Sequence, residues 1–251
     1  MEKRDNWSLF ANLFRVDNEI SKLSSTLNAL NARADSTLSS LPISRYAVGQ
    51  STHAIWAVRS HGIDPATGYE VFEKPDGSLT NIYDPRDQVI IANGRPKLEG
   101  TFGTNFEYNG IGVNAFLRFR IGGYAYNQTL VDRVENAEVN MYNVDKRVAE
   151  DRWMNPGDIT FFKGLIDYSG RQILTPTYNS SRFVQSNDLL SLESVSIYYR
   201  FNDAFNKRYN LSNTKITVFS NELYQWSSIQ RERGLDYPFS RTFTLQLTTS
   251  F

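Results

Sequence analysis

Cysteine is absent from this 251-residue chain, histidine occurs only twice, and no apolar run approaches the ~20 residues of a membrane helix. The first absence excludes disulfides, thiolate metal sites and cysteine nucleophiles, and says little about compartment. The third excludes helical membrane spans but not spans made of strands, because only alternate strand residues have to face lipid. Net charge is missing too: 27 Lys and Arg balance 27 Asp and Glu. The chain therefore has no global electrostatic footprint for nucleic acid, and none is expected as a partner. The opening Met1-Glu2-Lys3-Arg4-Asp5-Asn6 is polar and leads into no apolar signal core. On that reading either the protein stays inside the cell or its natural start lies elsewhere.

Catalytic signatures are absent as well. There is no G-x-S-x-G elbow and no phosphate-binding loop, and Gly122-Gly123 follows a strand without the third glycine of a dinucleotide site. His53 and His61 have no third ligand at metal spacing. Asp64, Asp76 and Asp84 sit in Gly/Pro-rich stretches that read as turns rather than calcium loops. Glu232 with Asp236, or Asp188 with Glu193, could be cast as glycosidase carboxylates, but such pairs arise by chance in a chain this acidic. No enzyme, cofactor or metal is expected.

What the chain does have is period-two alternation. Ile111, Val113, Ala115, Leu117, Phe119 and Ile121 alternate with Gly112, Asn114, Phe116, Arg118 and Arg120. Six alternations match the ~9–11 residues of a tilted membrane strand. The pattern returns in Val195, Ile197, Tyr199 and Phe201, and again in Phe243, Leu245, Leu247, Thr249 and Phe251. Thr101–Tyr108 precedes the first of these strands through Asn109-Gly110, a tight-hairpin pair. Trp7–Phe14 and Ala54–Arg59 are further strands, and residues 69–73 and 79–83 form a small hairpin. That makes about seven long strands and one short pair. Ile20, Leu23, Leu27 and Leu30 recur at helical spacing after Asp17, the expected N-cap. Loops are lopsided: one tight turn contrasts with excursions over residues 127–185 and 221–238. Outer-membrane barrels share that asymmetry, and Trp7, Tyr108, Tyr124, Tyr126, Tyr198, Tyr199 and Phe251 fall near strand ends, where amphipathic rings favour the headgroup level. A soluble antiparallel sheet would alternate in the same way with its apolar side turned inward. Period alone does not choose between the two.

A series of short segments bears on that choice. In order they are Gly62-Ile63-Asp64 with Thr67-Gly68, Glu70, Phe72 and Asp76-Gly77; Pro96, Gly100, Phe102, Asn105, Tyr108 and Gly110; Gly122-Gly123 with Tyr126-Asn127; Arg152-Trp153 with Pro156-Gly157-Asp158; Leu192 with Ser194-Val195-Ser196; and Gly234-Leu235-Asp236-Tyr237-Pro238. With a final amphipathic strand ending on Phe251, this series resembles the C-terminal part of SusC/RagA-type TonB-linked outer-membrane proteins, from Trp7 to Phe251.

The resemblance implies an all-β fold: an antiparallel transmembrane barrel segment spanning residues 1–251, part of a plugged barrel of the 22-stranded class, incomplete on its own and without a plug domain. It implies an outer-membrane importer of glycans or peptides acting beneath a SusD-like surface lipoprotein, with TonB engaged through an N-terminal part not seen here. The gene is expected to be truncated or split. Membrane lipid and the barrel assembly machinery are the other implied partners, the latter reading Phe243, Leu245, Leu247 and Phe251 on the last strand. Trp153 and Tyr237 are candidates for stacking on sugar rings and Asp158 for accepting hydrogen bonds from substrate, although Arg152-Trp153 and Pro156-Gly157-Asp158 also read as residues that simply fold the loop. Arg118, Arg120 and Arg200 would face the lumen. The alternative from another class is a soluble β-sandwich that binds carbohydrate.

Overall fold

A computed structural model describes residues 6–141, 143–230 and 240–250. Its strands in chain order are β1 (Asn6–Phe14), β2 (Ala54–Ile63), β3 (Glu70–Glu73), β4 (Leu79–Thr80), β5 (Gln88–Asn93), β6 (Leu98–Tyr108), β7 (Ile111–Ile121), β8 (Tyr124–Tyr126), β9 (Val184–Ser186), β10 (Leu189–Arg200), β11 (Ser212–Ser227) and β12 (Phe243–Ser250). The chain divides into two units: residues 1–16, 96–123 and 187–251 form the first, residues 17–95 and 124–186 the second.

The first unit is one antiparallel meander in the order β1-β6-β7-β10-β11-β12. It does not close, since β1 and β12 are its two edges. Residues directly opposite in a ladder share a face, so the register shows how the alternation adds up. Trp7, Phe106, Val113, Ile197, Val218 and Leu245 form one row across all six strands. Tyr108, Ile111, Tyr199, Ile216 and Leu247 form the next. The opposite face is polar: Asn114 Nδ2 donates to Ser196 Oγ at 3.0 Å, and Glu107 accepts from the Tyr198 hydroxyl at 2.7 Å and from Arg200 at 3.2 Å. No second layer covers the apolar rows among the described residues of this unit. Trp7, Ile197, Leu245 and Leu247 are 67%, 56%, 72% and 66% exposed.

In β10 the apolar parity switches. Leu190 and Leu192 lie opposite Phe119 and Leu117, whereas Val195, Ile197 and Tyr199 lie opposite Ala115, Val113 and Ile111. An irregularity between Leu192 and Ser194 takes up the extra residue, Glu193, and keeps both halves on one face. Glu193 instead approaches Arg118 at 3.6 Å.

Every connection at one end of the meander is short. Asn109 (φ 51°) and Gly110 (φ 84°) make the β6–β7 turn, both in the left-handed region that a two-residue hairpin requires. Residues 201–211 join β10 to β11 through a helical turn, Asp203–Arg208, whose N-cap Asn202 accepts from Phe205 N at 2.9 Å. The long excursions all leave from the other end. There Asp188 Oδ1 accepts from Gly122 N at 2.6 Å and Gly123 O accepts from Asn187 N at 2.8 Å, closing the neck of the excursion between β7 and β10.

The second unit packs a sheet of order β4-β3-β2-β5 and the ribbon β8-β9 with much loop. Its apolar core is Val131, Val134, Val148, Phe162 and Phe183.

Several expectations need correcting. The helix runs Ser25–Ala34 and is capped by Ser24, whose Oγ accepts from Leu27 N, not by Asp17. Ile20 instead lies outside the helix and is buried, exchanging backbone hydrogen bonds with Gln50 and Gly49. β11 was not anticipated: residues 221–227, expected in a loop, are strand, because their polar members Asn221, Glu222 and Gln225 mask the alternation of Tyr224 and Trp226. Asp64, Asp76 and Asp84 do make turns, accepting from Ala66 N, Ser78 N and Arg86 N.

Candidate functional site

The densest chemistry lies in the second unit, where five charged side chains are buried together. Glu70 opens β3, Glu135 ends a wide π-helical turn over residues 131–135, and Arg182 sits in the turn Ser181–Phe183 just before β9. Arg152 and Lys163 come from the intervening loop, held together by a parallel bridge between Arg152 and Phe162. Arg182 is shared by both acids: its Nη2 donates to Glu70 Oε2 at 2.7 Å and to Glu135 Oε1 at 2.6 Å. Ser180 Oγ donates to Glu70 Oε1 at 2.6 Å, and Thr177 Oγ1 to Glu135 Oε1 at 2.8 Å. Burial works against the Arg182 charge, but the two carboxylates override it and hold its pKa above the usual arginine value. The guanidinium also lies 4.6 Å from the centre of the Phe183 ring.

Among the described residues Arg152 donates only to neutral carbonyls, those of Val148, Lys163 and Val134, at 2.6–2.8 Å. Lys163 is 9% exposed and gives one N–H to Thr175 O at 2.6 Å. Burial lowers its pKa to about 8, with Glu135 and Glu70 opposing that shift.

Two cavities meet at Lys163. One, of about 320 Å³, is walled by Tyr69, Phe72, Tyr83 and Tyr178 with Glu70 and Lys163. The other, of about 700 Å³, is lined by Glu135, Asn136, Asn140, Met141, Ile166 and Leu174 among others. The first lies within the size range of small-ligand sites and has their usual make-up, apolar walls with a few polar groups.

Of the residues expected to touch substrate, Trp153 is 1% exposed. Its indole N–H donates to Pro65 O at 2.8 Å, and its ring lies where a side chain on Gly68 or Gly164 would stand. Asp158 Oδ2 accepts from Met154 N and Asn155 N and closes a turn. Tyr237 and Phe251 lie outside the described residues, as do Glu232 and Asp236. Phe243, Leu245 and Leu247 stand exposed on β12, the last described strand. Arg118 and Arg200 project from the polar face of the meander and pair with Glu193 and Glu107.

Lys163, Glu135 and Arg182 were not singled out from the sequence, and Glu70 entered only through the resemblance. The available signal was a charge set among large apolar residues: Phe161-Phe162-Lys163 and Arg182-Phe183-Val184.

The open meander, apolar on one face and polar on the other, with short turns at one end and long excursions at the other, is a portion of a transmembrane-type β-barrel. No protein-family model matches the chain, and no curated protein does. Among solved structures, 16 chains match. The RagAB peptide importer in its 'open-open' state superposes with a TM-score of 0.74 at 17% identity, over 100% of this chain and 27% of that one. Its 'closed-closed' state gives 0.71 at 17% identity, over 100% and 28%. A further structure of the RagAB peptide transporter gives 0.68 at 17% identity, over 91% and 24%. The chain thus spans about a quarter of the length of the solved chains it matches. The fold is that of a stretch of the barrel in these RagAB structures, the fold that the sequence resemblance implied.

Proposed function

We propose that this chain is part of the barrel wall, together with the extracellular excursions, of an outer-membrane importer that takes up glycans or peptides with a SusD-like surface lipoprotein. One observation carries the reading: apolar rows cross five and six strands of the meander and stay uncovered, while the other face is hydrogen-bonded and charged. In water such a face is an aggregation surface; in a bilayer it is the lipid contact. The open edges of β1 and β12 call for further strands in the working barrel. TonB engagement and a plug would belong to those further parts. Arg118 and Arg200 then face a wet lumen, and the assembly machinery reads Phe243, Leu245 and Leu247. Trp153 and Asp158 support the excursion that presents substrate contacts, and direct stacking falls to Tyr237.

The test uses tryptophan as a depth probe. Trp7 and Trp226 project from the apolar face, 67% and 53% exposed, whereas Trp153 is buried in the second unit. In vesicles of brominated phosphatidylcholine, fluorescence from Trp7 and Trp226 is quenched, and Trp7→Phe and Trp226→Phe each remove part of the quenching. Unquenched emission from a chain that is stable without detergent and binds a glycan makes it the soluble carbohydrate-binding sandwich instead. Uptake of labelled oligosaccharide against labelled peptide by the complete barrel separates the two substrate classes.

A further inference from the structure

The buried cluster contains three cations and two carboxylates: Arg152, Lys163 and Arg182 against Glu70 and Glu135. Arg182 is compensated by both acids. Among the described residues Arg152 hydrogen-bonds to backbone carbonyls alone, which stabilise a guanidinium without neutralising it. Lys163 has one acceptor among the described residues, Thr175 O, for the three N–H donors of an ammonium. A buried positive charge in excess is costly unless something supplies the counter-charge. Lys163 is also the cation of the cluster that borders open space, since it lines both cavities.

The two cavities are not equivalent for an anion. On the larger side Glu135 Oε2 is buried with no hydrogen-bond partner among the described residues and repels negative charge. On the smaller side both oxygens of Glu70 are occupied, Oε1 by Ser180 and Arg182 and Oε2 by Arg182. The walls there are rings, with Phe72 edge-on to Tyr83 at 5.6 Å and Tyr83 tilted against Tyr178 at 5.1 Å. We infer that the 320 Å³ cavity beside Lys163 is a binding site for an organic carboxylate carried on a flat or apolar body, the carboxylate meeting the Lys163 ammonium and the body lying against Tyr83 and Tyr178. The inference stands on the chemistry of this cavity and holds wherever the chain resides.

The test is isothermal titration of the full chain in detergent micelles with benzoate, its neutral counterpart benzyl alcohol, and inorganic phosphate. Benzoate binds saturably, and benzyl alcohol and phosphate bind about tenfold more weakly or less, the first lacking the charge and the second the ring. Lys163→Gln keeps an N–H for Thr175 O and drops the charge. It weakens benzoate about tenfold, the loss expected for one charge-assisted hydrogen bond, while the melting temperature at pH 7.5 does not fall. Equal binding of benzoate and benzyl alcohol, equal binding of phosphate, an unchanged affinity in Lys163→Gln, or no saturation by benzoate each overturns the site. Should Lys163→Gln fail to fold, the benzoate-to-benzyl-alcohol ratio on the unaltered chain decides alone. Because titration measures neither transport nor lipid contact, its failure is separate from failure of the importer reading.

Discussion

Leu117→Arg puts a guanidinium near the deepest point of the apolar face. In the proposed barrel wall the 11 residues of β7, tilted about 45°, would traverse roughly 26 Å along the membrane normal. Leu117 is one residue from the middle of the strand, so it lies within ~3 Å of the centre of the band. Its ladder neighbours are Phe102 and Leu192, neither of which has a side chain able to accept a hydrogen bond. An arginine on the lipid face at that depth costs ~2–4 kcal/mol. Arg118→Leu, one position on, alters the polar face and removes a solvent-exposed ion pair with Glu193, a kind of pair that contributes ~0–1 kcal/mol. Two adjacent substitutions should therefore differ by ~2–3 kcal/mol, roughly 30- to 150-fold in the folded ratio. The assay is a urea titration of the complete barrel in lipid vesicles, read from the compact and unfolded bands of a semi-native gel. Equal midpoints for the two variants would refute the assignment of faces.

Three other outcomes are expected. With no native cysteine, single-cysteine spin labels along β10 report lipid contact cleanly: contact falls on residues 190 and 192 and then on 195, 197 and 199, and a constant parity through Glu193 sinks the irregularity as the cause of the switch. Arg182→Met leaves Glu70 and Glu135 buried without their shared partner and should destabilise the second unit by ~3–5 kcal/mol. Faster amide exchange over residues 124–186, with β6 and β7 unaffected, is the readout. Lys163 has its pKa lowered from 10.5 to about 8 by burial, so between about pH 8 and 10.5 the unfolded chain holds a proton that the folded chain has released. Stability therefore rises with pH across that window, by an amount on the order of 3 kcal/mol. Melting curves at pH 7.5 and pH 10 should show the unaltered chain gaining on Lys163→Gln; parallel curves refute it.

The meander was legible in the amino-acid order because a strand exposed on two unlike faces writes its environment at period two. β7 is the clearest case, predicted and observed as Ile111–Ile121. The Asn109-Gly110 turn was legible for a local reason as well, since few other residue pairs tolerate two successive positive φ values. β11 was hidden because its polar residues broke the count, and the parity switch in β10 could only be resolved once β7 fixed which residues stand opposite. Whether the apolar rows are covered was likewise a tertiary fact, one that period alone left open.

For the buried charges the division is sharper. Glu70, Glu135, Arg152, Lys163 and Arg182 are scattered over more than a hundred positions and belong to no spacing motif. Composition and order determined that this chain would make amphipathic antiparallel strands, because alternation is a local property of neighbouring residues. Only the folded chain decided which face stays open, and only it gathered three cations onto two acids. Those are properties of pairs far apart in sequence, and burial sets their energies once folding has brought them together.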